Sequence, residues 1–342
     1  MARNQRIFYA CQAVAICQRG ETDVNYDDII HGVQSVGMSS TFTLDQVFEL
    51  GQIEIYENIE QVADIEVTIE KVIDGYSLIY DKASGGAGKT DVVAATKARS
   101  DVYVAIFDDG LSHATGVPRN VCYNSGMFIS SVAYNYSVDG SATESVTLVG
   151  NDRFWNTTTA GTIASSATAN WSGNPTANFD GSDTPISGVV RRVDVDLEHA
   201  DIQLPGEIKS QASDDATGRG GGYHVQSISI STDFGQENIQ ELGRFGPYHR
   251  YATFPVEVTC EFELIATSGD LISVSGTAEN LGNQPIKIFD TAGTVIDLGT
   301  KNKLSSVSYS GGDTGGGNAT VSYSYSNFNV LKVNGGKDHA AP

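Results

Sequence analysis

VQSVGMSSTFTLDQVFELGQIEIYENIEQVADIEVTIEKVIDGYS, residues 33–77, occurs again in degenerate form as VQSISISTDFGQENIQELGRFGPYHRYATFPVEVTCEFELIATSGD, residues 225–270. Val33 aligns with Val225, an offset of 225 − 33 = 192 residues that holds through the first half of the repeat. The offset then becomes 257 − 66 = 191, because Glu66 aligns with Glu257. A one-residue slip between two aligned flanks is typical of a tandem duplication, and a repeat of this length governs the organisation of the whole chain.

Both copies contain two stretches in which polar and apolar residues alternate. The first stretch sets small polar residues against apolar ones, as Ser35 and Ser39 stand against Val36 and Met38. The second sets Glu and Thr against apolar residues, over residues 65–70 and again over 256–264. A period of two is that of a half-buried strand, with one face in a core and the other in water. Each copy therefore predicts a pair of strands that share a polar face.

The remaining elements are predicted from turn residues and apolar runs. Further strands are predicted at residues 8–17, 102–107 and 193–197, and hairpins at 127–149, around Asp139-Gly140, and at 309–333, around GGDTGGG. Residues 130–134 match residues 305–309 and extend the repeat. Residues 43–50 are predicted to form a short helical or turn element ended by Gly51, and residues 90–99 a helix.

The repeat divides the chain into two domains, as its length of 342 residues allows. We expect a first copy at residues 1–150 and a second at 189–333, separated by a Ser/Thr/Ala/Asn/Gly-rich insertion at 151–188. Residues 334–342 are expected to form a flexible tail. The predicted fold class is all-β with one or two short helices, built as two homologous antiparallel β-sandwich or barrel domains.

The charge of the chain limits the possible partners. The net charge is −21, from 42 acidic and 21 basic residues, which opposes nucleic-acid binding by phosphate neutralisation. No apolar run is long enough to span a bilayer, so no membrane partner is expected. The four cysteines, Cys11, Cys17, Cys122 and Cys260, lack metal-ligand spacing and are predicted to be buried free thiols.

Motifs for catalysis are weak. Residues 83–90, ASGGAGKT, fit a relaxed phosphate-binding loop, but the first position is Ala83 and no series of parallel strands surrounds it. The acidic pairs lack the spacing of a calcium loop, and the histidines lack zinc-ligand spacing. We therefore predict no enzyme, no cofactor and no metal.

The signal that remains is the polar face common to both copies. Its candidate residues are Ser35, Ser39, Glu66, Thr68 and Glu70 in the first copy and Ser227, Ser231, Glu257, Thr259 and Glu261 in the second. An ordinary solvent-facing sheet surface has the same polarity. That alternative does not explain why both copies place hydroxyls on one strand and carboxylates on the next.

The stretches VQSVGMSSTFTLDQVFELG, EVTIEKVIDG and SVAYNYSVDGSATESVTLVG resemble the tail tube proteins of tailed bacteriophages. The resemblance covers nearly the whole chain outside residues 151–188 and the last few residues. It implies a virion structural protein that self-assembles into stacked rings and tubes in the host cytoplasm and contacts other tail proteins. It also implies that the ten polar-face residues line an acidic channel through which DNA passes without specific binding.

The duplication departs from the commonest pattern of this family, in which a subunit carries one such domain. A trimer with pseudo-sixfold symmetry is the favoured expectation, and a hexamer is the alternative. Another virion component, such as a baseplate, tail terminator or decoration protein, is a second interpretation. A carbohydrate-binding or enzymatic β-sandwich is a third, to which only Trp155 and Trp171 point.

Overall fold

The computed structural model describes residues 6–19, 28–85, 92–109, 118–156, 188–197, 201–210, 222–277, 281–312 and 317–335. Most of the predicted insertion at 151–188, with Trp171, and most of the predicted tail lie outside the described residues. So do most of the ASGGAGKT loop and half of the glycine-rich turn GGDTGGG.

The described residues form eighteen strands and a few short helices. The strands are β1 (Gln12–Gln18), β2 (Val33–Thr41), β3 (Leu44–Phe48), β4 (Ile55–Glu60), β5 (Asp64–Val72), β6 (Ser100–Ile106), β7 (Asn120–Ser137), β8 (Thr143–Gly150), β9 (Asp152–Asn156), β10 (Val225–Asp233), β11 (Gln236–Ile239), β12 (His249–Ala252), β13 (Glu257–Ile265), β14 (Lys287–Phe289), β15 (Val295–Asp297), β16 (Lys303–Ser310), β17 (Thr320–Phe328) and β18 (Lys332–Asn334). The helices are α1 (Ile79–Ser84), α2 (Val92–Ala95), α3 (Gly206–Ser210) and a 3₁₀ turn at Tyr9–Cys11. All strand pairs are antiparallel, and the all-β prediction is confirmed.

Eight strands follow one another in a single sheet, in the order β16-β17-β13-β10-β7-β8-β5-β2. The four strands β7-β8-β5-β2 are called unit one, and the four strands β16-β17-β13-β10 are called unit two. Each unit joins a hairpin to a pair of strands in the same spatial order. The units meet where β10 pairs with the second half of β7, from Ser227 opposite Ser137 to Asp233 opposite Ser131.

The ladders of the two units are irregular at matching positions. In unit one, the pair β2–β5 has a bulge at Val33/Ser35 and the pair β7–β8 has one at Ile129/Ser131. In unit two, the pair β10–β13 has a bulge at Val225/Ser227 and the pair β16–β17 has one at Leu304/Ser306. Alignment at the bulges sets Ser35 level with Ser227 and Glu70 level with Glu263. Glu66 then stands level with Thr259, two residues from the Glu257 that the sequence alignment assigns to it.

The buried faces of both units belong to one hydrophobic core. Val67 and Ile69 of unit one and Phe262 and Tyr323 of unit two are fully buried within it. Beneath unit one the core is closed by α1, α2 and the pair β1–β6, and beneath unit two by the small sheet β14-β15-β18. The division into domains at residues 150 and 189 stays a prediction, since the sheet runs on across the two units.

Four local predictions are wrong or incomplete. Residues 43–50 do not form a helical element, since β3 pairs with β4 in a hairpin. Residues 193–197 form turns, and a single bridge from Val195 to Asp290 joins them to the end of β14. Of the helix predicted at 90–99, the described part is one turn, α2. The hairpin predicted at 309–333 ends at Phe328, since β18 pairs with β15 instead. The four cysteines are free and buried, as predicted.

Each unit carries a hairpin between its paired strands. Hairpin one (β3–β4) connects β2 to β5, and hairpin two (β11–β12) connects β10 to β13. Every residue of β3 and β4 is exposed, whereas Arg250 in β12 is buried. The same element is therefore free in one unit and packed in the other.

Candidate functional site on the polar sheet face

The ten candidate residues lie on one face of the eight-stranded sheet. Burial alternates along β5 and β13, where Ile65, Val67 and Ile69 point into the core and Glu66 and Glu70 point out. All ten candidates are exposed or half-buried and occupy outward positions. The structure therefore places these side chains on one surface, as predicted. Their position in a channel stays a prediction.

Hydrogen bonds across the ladders order this face. Ser35 Oγ donates to Glu70 Oε2 over 3.3 Å, and Ser227 Oγ donates to Glu263 Oε2 over 3.2 Å. These two bonds occupy equivalent positions in the two units. The hydroxyls of Ser231 and Thr259 lie 3.1 Å apart, a cross-strand contact of the kind that stabilises sheets.

The face carries strongly acidic charge. Its outward carboxylates are Asp64, Glu66 and Glu70 in unit one and Asp233, Glu257, Glu261 and Glu263 in unit two. Among the outward positions of the eight described strands, Lys303 in β16 is the cation. Such a face stays hydrated and repels phosphate.

Sequence reasoning missed much of this surface. Asp233 and Glu263 belong to it, and so do hydroxyl and amide side chains from β7, β8, β16 and β17: Ser131, Asn135, Ser145, Thr147, Ser306, Ser308, Ser322, Ser324 and Ser326. The alternation of Ser with Val or Tyr in β16 and β17 was a sufficient signal. With these residues included, every strand from β2 to β16 in the eight-strand order contributes polar side chains to the face.

A row of buried polar groups lies under the sheet of unit one. Glu144 of β8 is fully buried and accepts hydrogen bonds from the backbone N–H groups of Ile79 (2.7 Å) and Tyr80 (3.0 Å) at the start of α1. Burial raises the pKa of Glu144, and the positive charge of Lys71 opposes that shift. This carboxylate caps a six-residue helix and is closed off from the polar face, so it has a structural role.

A basic cleft of about 580 Å³ lies between the base of hairpin one, at residues 60–63, and the turn of hairpin two, at residues 244–248. Arg19, Arg99, Arg244 and Arg250 line it together with His249. Burial and, after it, the charge of Arg19 lower the pKa of Arg99. Among the described residues, no group of His, Cys, Asp and Glu side chains could hold a metal ion. No helix in that part of the chain is long and apolar enough to cross a membrane.

Comparison with known proteins gives structural likeness alone. No protein-family model matches the chain, and no curated protein matches it in sequence. A chain in a structure of the anti-feeding prophage baseplate is 12% identical, with a TM-score of 0.33, and the match covers 45% of this chain and 97% of that one. A chain in the cap that terminates the anti-feeding prophage tube is also 12% identical, with a TM-score of 0.34, over 46% of this chain and 95% of that one.

Proposed function

We propose that this chain is a virion structural protein, a phage tail tube subunit that forms stacked rings around an acidic channel for DNA passage during ejection. One observation carries the proposal. A single sheet of eight strands buries one face and presents, on the other, hydroxyls and carboxylates contributed by both units. The resemblance of the repeated stretches to tail tube proteins agrees with it.

The chemistry of the face suits a surface along which DNA slides. Each Lys or Arg that contacts a phosphate releases counterions and tightens binding, so a basic wall would retain the genome. Carboxylates such as Glu66 and Glu261 repel the phosphates, and the serine rows keep the surface wet. An ordinary sheet surface carries both signs of charge in comparable numbers, whereas the outward positions of the eight described strands hold seven carboxylates and one cation, Lys303.

The edges of the sheet supply the contact that closes a ring. We infer an internal duplication, because the two units share strand order and bulge positions. In one copy of the chain, β2 and β16 are the two ends of the eight-strand order. An exposed edge is a template for pairing with another strand. In the alignment of the two units, β2 is equivalent to β10 and β16 is equivalent to β7. The pairing of β10 with β7 inside one chain is therefore the template for pairing β2 of one copy with β16 of the next.

The register of that contact follows from the internal junction. Tyr134 is opposite Ile230 and fully buried, while the equivalent Tyr309 on β16 is 53% exposed. Transfer of the register places Met38 of the next copy opposite Tyr309, and Ser39 opposite Ser308. Three copies then bring six units into a closed ring with pseudo-sixfold symmetry.

Electron microscopy of the purified chain tests this proposal. We expect rings or tubes of uniform width whose averaged images have three chains and six similar lobes. Six chains in a ring would mean that one unit of each chain lies outside the channel wall. A chain that stays monomeric at high concentration contradicts the proposal.

Cysteine pairs test the register. Ser39→Cys combined with Ser308→Cys is expected to form disulfides between chains and to give a trimer band without reductant. Ser35→Cys with Ser308→Cys is the matched control, displaced by four residues along the same strand, and should remain monomeric on the gel. The native thiols are buried and should not interfere.

Charge reversal tests the channel. Glu66, Glu70, Glu257 and Glu261 face water, so their replacement by Lys should leave assembly intact and slow or stall DNA ejection. Reversal of Glu49 and Glu54, which lie on the exposed hairpin one away from the sheet face, is compared with reversal of Glu66 and Glu70 alone, which changes the net charge by the same amount. Unchanged ejection with an assembled tube would place the polar face on the outside.

A second candidate is another virion component, such as a baseplate, tail terminator or decoration protein. The exposed hairpin one favours it, because a subunit at the end of a tube needs a surface for a different neighbour. Rings that form but never stack in the microscope would support this candidate over the tube.

A further inference from the structure

Hairpin one is an exposed element with a one-sided charge. Its side chains Phe48, Leu50 and Ile53 are 62%, 104% and 101% exposed. Residues 43–61 hold five carboxylates, Asp45, Glu49, Glu54, Glu57 and Glu60, and no lysine or arginine. An apolar surface with a single sign of charge is typical of an interface whose partner is absent.

Hairpin two shows how such an element docks. It leaves β10 and crosses the ends of the strands of unit one. Gln236 Nε2 donates to the carbonyl of Ile129 over 2.8 Å, and Arg250 Nη2 donates to Asp64 Oδ1 over 2.6 Å. The ring of His249 lies edge-on to that of Phe128, with centroids 5.3 Å apart.

The two hairpins are equivalent residue by residue. The first ladder pair is Leu44 with Glu60 in hairpin one and Gln236 with Ala252 in hairpin two. The number of residues between the two members of the pair is the same in both hairpins. The 192-residue offset therefore aligns Glu57 of hairpin one with His249 of hairpin two. Unit one, however, ends at β2, and hairpin one therefore extends past the sheet edge.

The receiving surface has an equivalent as well. Phe128 is paired with Val149 just before the bulge in the β7–β8 pair of unit one. Lys303 is paired with Ser326 just before the bulge in the β16–β17 pair of unit two. Lys303 thus stands where Phe128 stands. It is exposed on β16, the edge proposed to meet β2 of the next copy.

We infer that hairpin one docks on unit two of the next copy of this chain, with Glu57 opposite Lys303 of that copy. The inference rests on the proposed ring and names the contact that accompanies strand pairing. The aromatic contact of His249 with Phe128 inside one chain is replaced between chains by an ion pair. The same transfer places Asn58, the equivalent of Arg250, beside Phe328, whose side chain is 55% exposed.

A charge swap tests the pairing. The purified full-length chain is compared with Glu57→Lys, Lys303→Glu and the double variant, by sedimentation and electron microscopy over a range of concentrations. Each single variant brings two like charges together and should raise the concentration for half-maximal assembly about tenfold or more. The double variant should return close to the wild-type value.

Glu49→Lys is the matched control, because it changes the net charge equally at the turn of the same hairpin. Its equivalent in hairpin two, Glu241, pairs with Arg244 of that hairpin. Glu49→Lys should assemble like the wild type. All three single variants should unfold at the same denaturant concentration as the wild type, because these side chains are exposed.

Each result decides one question. Single variants and a double variant that all assemble like the wild type overturn the docking and leave the ring standing. Impaired singles without recovery in the double, or equal impairment by Glu49→Lys, overturn the pairing of Glu57 with Lys303. A wild-type chain that never forms rings, yet is captured through hairpin one by another tail protein, overturns both the ring and the docking on a second copy.

Discussion

Units one and two have the same strand order but opposite chemistry at one level of the core. In unit one, Glu144 is opposite Lys71 on one side and Tyr134 on the other. In unit two the same row holds aliphatic Val321 opposite Leu264, with Tyr309 beyond. The sheet accommodates a charged row in unit one and an aliphatic row in unit two, because different elements pack beneath the two units. Unit one must hold α1, whose first N–H groups need an acceptor, and unit two covers its row with apolar side chains.

The largest effect is expected from breaking the buried row of unit one. Lys71 is fully buried, lies 3.2 Å from Asp74 and donates to the carbonyl of Ser77 over 3.0 Å. Lys71→Leu, which copies unit two, should lower the free energy of unfolding by about 3–5 kcal/mol, since it leaves buried carboxylates without their cation.

The double variant Lys71→Leu with Glu144→Val sharpens this comparison. It should cost less than the sum of the two single variants, because the loss of Lys71 then leaves Asp74 without its cation but no longer leaves Glu144 so as well. Denaturant titration measures all three, and Lys97→Leu at an exposed site is the control, expected within about 0.5 kcal/mol. Strictly additive losses would show that the two charges do not depend on each other.

The next effect concerns the carboxylate beneath unit two. Asp290 accepts hydrogen bonds from Thr294 N over 2.9 Å and from the Tyr136 hydroxyl over 3.3 Å, and burial raises its pKa to about 6. A folded-state pKa above the unfolded value of 3.8 means that the folded chain binds the proton more tightly. Its contribution to stability is therefore full below about pH 4 and is lost as the pH rises through about 6.

Asp290→Asn should remove that dependence. The wild type should lose about 3 kcal/mol relative to the variant between pH 4 and pH 7, because one pKa unit corresponds to about 1.4 kcal/mol. The variant keeps an oxygen for Thr294. Parallel curves of unfolding free energy against pH for the two proteins would contradict the assignment.

The smallest effect separates the two hairpins. Arg250→Ala removes the bonds of hairpin two to Asp64 and Asn151 and should cost about 2 kcal/mol, a modest value because the Asp64 side chain is 60% exposed. Asn58→Ala at the equivalent position of hairpin one should change the isolated chain by less than about 0.5 kcal/mol. Hydrogen exchange of residues 236–252 should rise in the first variant, and equal losses in both would deny the difference between the hairpins.

How far the sequence predicts this structure depends on whether a segment buries one face. β2, β5, β10 and β13 were predictable because their apolar positions alternate into a core. Residues 43–50, the first part of hairpin one, were predicted to be helical or turn, because both faces of LDQVF are exposed and no burial pattern marks it as a strand. Val193 and Val195 alternate with aspartates without forming a strand, since the described residues pair with them through a single bridge, from Val195 to Asp290.

The strand register and the buried charged residues were harder to predict from the sequence. The alternation of Glu with Thr in β5 looks the same after a shift of two residues, so Glu66 aligned with Glu257 by composition and stands level with Thr259 by ladder. The face survives that error, because a shift of two preserves it. Lys71 and Glu144 did leave a signal, since both fall on apolar positions of alternating strands.

The junction between β10 and β7 also bears on how fast rings appear. Because one chain already contains two units in register, every second contact around a proposed six-unit ring is made within a chain, at a high effective concentration. Closure then requires an encounter of three molecules instead of six. Ring formation should follow a lower power of protein concentration than in a subunit with a single unit, so tubes could start at the low protein levels of early expression.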